Sequence, residues 1–128
     1  MAKFDGVPKV YASRETKPYY NFFVDEHHIF PSIADLFHLA AAIGLYQNKR
    51  TPIQGKDELL NVYTIDKDDL FETLLESKMQ DSTGEQRLLA LQEYAETGIL
   101  YLKSRYDREQ TLGVAALLEF APRETTAN

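Results

Sequence analysis

Between Phe30 and Pro52 the chain reads FPSIADLFHLAAAIGLYQNKRTP, one capped and largely apolar helix that runs straight into a small basic connector. Ser32 follows Pro31 and stands three positions before Asp35. Its hydroxyl can accept from an orphan amide of the first turn while Asp35 sits where the helix dipole favours negative charge. Ile33, Leu36, Phe37, Ala40, Ile43 and Tyr46 then recur at three- and four-residue spacing. Leu39, Ala41 and Ala42 leave little polar surface between them, so this helix belongs in the middle of a fold. The connector Gln47-Asn48-Lys49-Arg50-Thr51-Pro52 carries two adjacent cations.

The rest of the chain is read around that helix. Residues 1–15 hold Gly6 and Pro8 and are expected to form a loose N-terminal arm. From Thr16 the sequence TKPYYNFFVDE suits a short helix with Thr16 as cap and Pro18 in its first turn, placing Tyr19, Phe22 and Phe23 on one face. A strand over Tyr19 to Val24 competes, but its apolar positions do not alternate cleanly. The stretch from Gln54 through Gly55 to Val62 reads as irregular, with one helical turn over Asp57 to Leu60. A third helix, capped by Asp66 or Asp68, holds Leu70, Phe71, Leu74, Leu75 and Met79. A long fourth begins at a capping box, Ser82 with Glu85 or Thr83 with Gln86, and its stripe is Leu88, Leu91, Ala95, Ile99, Leu102 and Tyr106. Gly98 interrupts the fourth helix without shifting that stripe, which points to close packing of another helix over it, with a kink that presents Tyr94 or Glu96 to a partner as the alternative. Asp107-Arg108-Glu109 is expected to bend or break the run before a fifth helix over Leu112 to Phe120, ended by Pro122. The polar tail 123–128 is expected to be disordered. No segment alternates over a strand's length and no internal period recurs, so the sequence predicts an all-α fold, a single compact bundle of four to five helices.

Composition narrows the function classes. With 128 residues, 44% of them hydrophobic, the chain is long enough for one domain with a real core. Twenty acidic against fourteen basic residues give a formal charge of −6, which opposes sequence-blind binding to nucleic acid or anionic lipid and leaves only local contacts. The absence of cysteine removes disulfides and thiolate chemistry. No apolar run reaches the length of a membrane helix or signal core, so no membrane role and a cytoplasmic location are expected.

Candidate contacts fall in two places. Lys49, Arg50 and Lys56 share one connector with Asn48, Thr51 and Gln54, a mixture able to hold phosphate oxygens of nucleic acid or the carboxylates of an acidic partner. The plainer reading is a solvated loop balancing an acidic surface. Tyr19, Tyr20, Phe22 and Phe23 hold more rings than one face of a short helix can bury. They are expected to form a protein interface, in a homodimer or against a larger partner, with closure of one end of the bundle as the plainer account. His27, His28, Asp35 and His38 supply metal-ligand types without a ligand spacing, so no metal and no cofactor is expected. Asp66, Asp68, Asp69 and Glu72 are accounted for by helix capping. No GxSxG, GxxxxGK or GxGxxG occurs, and no catalytic residue is assigned.

Two segments carry a resemblance: FPSIADLFHLAAAIGLYQNKRTPIQGK over Phe30 to Lys56 and LQEYAETGILYLK over Leu91 to Lys103. They resemble the small accessory proteins of bacterial DNA phosphorothioation (Dnd-type) modification and restriction systems, in which a DLF.LAAA.G helix, a basic G.R.P..GK-like loop and an EYA..G...L segment occur in this order. Gln47-Asn48 stands here in place of the small residue before the basic pair, and the N-terminal aromatic segment has no counterpart. The resemblance implies a partner among DNA-modification or anti-phage defence proteins. It makes Asp35, Lys49, Arg50, Pro52, Lys56, Tyr94 and Gly98 interaction or structural positions without a catalytic role. The expectation is therefore a non-enzymatic accessory or adaptor protein acting through protein contacts and local DNA contacts. A DNA-binding transcriptional regulator using the basic loop is the alternative, followed by a metal-dependent enzyme.

Overall fold

A computed structural model describes residues 9–61, 64 and 70–110. In chain order the elements are β1 (Lys9–Ser13), α1 (Lys17–Asn21), a π-helical turn (Phe22–Glu26), α2 (Ile33–Gln47), β2 (Lys56–Asn61), α3 (Leu70–Lys78) and α4 (Gly84–Glu109). The two strands pair antiparallel, so the all-α expectation is wrong: the fold is a helical assembly with a two-stranded sheet at its side. Lys9–Ser13 belongs to that sheet and not to a loose arm. Asp57 to Leu60 likewise lies in β2 and not in a helical turn.

Neither strand announces itself locally. Val10 and Ala12 point inward and are buried, but two alternating apolar positions are too few to read as a strand. The β2 sequence KDELLN has two acids and no β-branched residue. It is held extended by distant groups. Lys9 pairs with Glu58 at 2.9 Å, and the Lys56 ammonium lies 4.6 Å from the centre of the Tyr11 ring. Leu59 is the extra residue of a bulge, because Val10 faces Leu60 while Tyr11 faces Glu58. On its other side β1 docks on α4, where the Tyr11 amide donates to Gln92 Oε1 at 2.7 Å.

α2 and α4 pack antiparallel as the central pair. Ser32 caps α2 as the sequence predicts, accepting from the Asp35 amide at 3.1 Å. At the other end Asn48 adopts a left-handed conformation, φ 54°, and Lys49 N–H donates to the Gly44 carbonyl, a Schellman closure that turns the chain sharply. α4 starts on the reciprocal Thr83–Gln86 capping box and continues unbroken through Asp107 to Glu109, past the expected bend. Its middle is the axis of the molecule, with every residue from Tyr94 to Ile99 buried.

The close approach expected at Gly98 is present and is matched by a second one. A Cβ on Gly98 would run into the backbone of Ala40, and a Cβ on Gly44 into the backbone of Tyr94. Two bare backbone positions, one on each helix, let α2 and α4 touch main chain to main chain. Among the described residues no helix is long and apolar enough to cross a membrane. The expected fifth helix over Leu112 to Phe120, Pro122, the tail 123–128 and the acids Asp66, Asp68 and Asp69 lie outside the described residues.

Candidate functional site

Among the described residues α3 presents the two most exposed large hydrophobic side chains. Its sequence LFETLLESK holds two apolar pairs one turn apart, and a single helix cannot bury both. Phe71 and Leu75 enter the core, whereas Leu70 remains 60% and Leu74 48% exposed. The apolar spacing along this helix does not by itself say which pair is covered. The helix is fixed by a buried ion pair: Arg87 Nε and Nη2 donate to the two Glu72 carboxylate oxygens at 3.0 and 2.7 Å. Arg87 Nη1 also donates to the Ser82 carbonyl at 2.6 Å, tying the α3–α4 turn into the same network. Glu72 is therefore an internal clamp on α4 in addition to an acid near a helix start. Two leucines at i and i+4 on a rigid helix make an anchor that can enter an apolar groove.

A second feature has no α3 residue in its lining. The Ser13–Glu15 turn, the connector from Thr51 to Gly55 and α4 at Glu96 and Leu100 enclose an open cleft of about 540 Å³. The turn and the connector are laced together: the Gln54 amide donates to Ser13 Oγ at 2.9 Å, and the Arg14 amide to the Gln54 carbonyl at 3.1 Å. Gly55, at φ 66°, gives the Arg14 side chain room to cross the backbone. Thr16 occupies the cap position of α1, but its hydroxyl makes no cap. It donates to Glu96 Oε1 at 2.9 Å inside the fold. Glu96 is 4% exposed and stands on the cleft's floor. Burial, and secondly the negative charge of Glu96, push the neighbouring Tyr20 phenol well above the usual tyrosine range.

The expected contact residues are dispersed among structural tasks. Arg50 is held by Glu93 through Nε at 2.9 Å and Nη2 at 2.8 Å, which takes its guanidinium out of the basic group offered to phosphate. The connector is itself docked on α4, since the Thr51 amide donates to the Glu93 carbonyl and Thr97 Oγ1 donates to the Lys49 carbonyl. Lys56 stands on β2 over Tyr11, and Lys49 is exposed just past α2. Of the aromatic segment, Tyr20 and Phe23 are 1% and 0% exposed and belong to the core, so they cannot serve as interface residues in this fold. The π-helical turn closed by His27 N–H on the Phe22 carbonyl sets Phe22 edge-on to Tyr106, with ring centroids 5.2 Å apart. Lys103 stands over the faces of Tyr19 and Phe22. Tyr19 and Phe22 are partly buried and packed against the core cluster that holds Tyr20 and Phe23.

The other potential ligands separate in the same way. The His27 ring lies tilted against Phe22, with centroids 4.2 Å apart, and His28 adopts a left-handed backbone at φ 51°. Asp35, in the first turn of α2, accepts from the Ser32 hydroxyl, while His38 lies against the Phe71 ring. Among the described residues no three His, Cys, Asp or Glu side chains converge as a metal site would require. Sequence reasoning passed over Arg87 and met Glu96 only as a residue that a kink at Gly98 would present to a partner; an acid and a base inside the apolar face of a long helix were the available signal. No family model, no curated protein and no solved structure matches the chain.

Proposed function

We propose that the chain is an accessory protein that works by binding a partner protein on the Leu70–Leu74 face of α3, without catalysis of its own. The observation that carries this reading is the exposure of two leucines one turn apart on a helix clamped by the buried Glu72–Arg87 pair. A rigid helix presenting paired apolar anchors loses little conformational freedom when it enters a groove. The resemblance of residues 30–56 and 91–103 to Dnd-associated accessory proteins supports a bacterial DNA-modification or anti-phage protein as the partner, met in the cytoplasm. In this reading a DNA contact falls to Lys49 and Lys56, because Arg50 is engaged by Glu93.

Affinity purification from a native host tests the reading. The expected result is stoichiometric recovery of a DNA-processing or defence protein with the parent chain and its loss with Leu74→Glu, the variant keeping the parent's circular dichroism spectrum. Recovery of the parent without such a partner overturns the assignment. Equal recovery with a folded Leu74→Glu removes α3 from the interface.

A further inference from the structure

Glu96 is the feature that neither the packing nor the proposed interface uses. A carboxylate buried to this degree needs compensation by hydrogen bonds and by positive charge. Thr16 Oγ1 supplies one hydrogen bond to Oε1. Among the described residues no other donor reaches the carboxylate and no lysine or arginine pairs with it. The acid is not sealed in apolar surroundings, because it forms part of the floor of the cleft. Leu100 and Pro52 give that cleft apolar wall, Thr51 and Gln54 give it polar wall, and Arg14 and Glu15 stand exposed at its rim. The charges of Arg14 and Glu15 offset each other, which leaves the Glu96 carboxylate as the net charge of the site. A volume of about 540 Å³ is in the range that receives small molecules.

We infer that this cleft binds a small organic monocation, a primary ammonium on a short apolar stem, with Glu96 as counter-ion and Leu100 and Pro52 against the stem. The ammonium has three donors, and Glu96 Oε2 is the acceptor left by the Thr16 hydrogen bond. Thr16 orients the carboxylate, and its own position is set by the Ser13 carbonyl, which accepts from the Thr16 amide at 3.1 Å. The connector that forms the opposite wall is fixed by its bonds to Ser13, Arg14 and α4, so the cleft is built before ligand arrives. The inference stands apart from the α3 interface, and failure of one leaves the other untouched.

The test is a titration of the full chain with n-butylammonium chloride, followed by NMR at constant ionic strength, with sodium chloride and n-butanol as charge-only and stem-only references. Saturable shifts at Thr51, Gln54, Glu96 and Leu100 with butylammonium, and none with either reference, are expected. Glu96→Gln keeps the acceptor for Thr16 and removes the charge, and should weaken binding by at least about tenfold. Three outcomes overturn the inference: no saturable shift with butylammonium, shifts that map outside the cleft, or unchanged affinity in folded Glu96→Gln. If Glu96→Gln fails to fold, the map of the parent chain decides alone.

Discussion

A threonine before a helix ordinarily turns its hydroxyl to the first free amides, yet Thr16 donates to a glutamate 80 positions away. The cap pattern in the sequence is genuine, and the tertiary acceptor outcompetes it because Glu96 is charged and buried. Tyr20, beside that acid, gives the residue scale its measurable consequence. Its pKa in the folded chain is raised above the ordinary 10.0 by burial first and by the Glu96 charge second. The folded state therefore holds a proton that the unfolded chain releases above pH 10. Stability from this group is complete below that pH and falls as pH rises, by about 1.4 kcal/mol per unit until the folded-state phenol itself ionises. Urea denaturation of the parent and Tyr20→Phe from pH 9 to 11 checks this. The difference in slope above pH 10 should correspond to one proton, and identical slopes would place Tyr20 outside the core.

At the level of elements, legibility follows the range of the interactions that define each one. Ser32 and Thr83 declare their helices because cap and amide lie three residues apart. Gly98 declares a close approach because glycine is costly in a helix unless something requires it. β2 is silent, since Lys56–Asn61 becomes a strand only through a partner that ends at Ser13. The exposure of Leu70 and Leu74 is not legible because a periodicity shows which residues are apolar and not which face is covered. Glu96 is hidden for a related reason: its partner comes from another element, and its cleft from two more. The Gly98 contact yields a prediction whose sign separates local from tertiary control. On an isolated helix Gly98→Ala would stabilise by about 1 kcal/mol. Here the new Cβ meets the Ala40 backbone, which cannot swing aside as a flexible side chain does. The α2–α4 pair must separate, and a loss of about 3 kcal/mol in chemical denaturation is expected. A neutral or stabilising result would show that the helices do not cross at that point.

For the whole molecule, the question is whether the sheet is an ornament on a helical bundle or part of its core. Val10 is 0% and Ala12 3% exposed, and both sit in the same apolar cluster as Leu36, Leu91 and Ile99. β1 also holds Gln92 through the Tyr11 amide and the connector through Ser13, while β2 has no sheet partner other than β1 among the described residues. Removing β1 would strip a wall from the core, free one face of α4 and release β2 together. A chain beginning at Thr16, compared with one beginning at Lys9, should accordingly lose at least about 3 kcal/mol, of which the Val10 side chain alone accounts for roughly 2 kcal/mol. A loose arm predicts no difference between the two. Urea unfolding followed by far-ultraviolet circular dichroism distinguishes them: coincident midpoints would return β1 to the status of an arm. An earlier and less cooperative transition in the shorter chain would make the strand pair as much a part of the folding unit as α2 and α4.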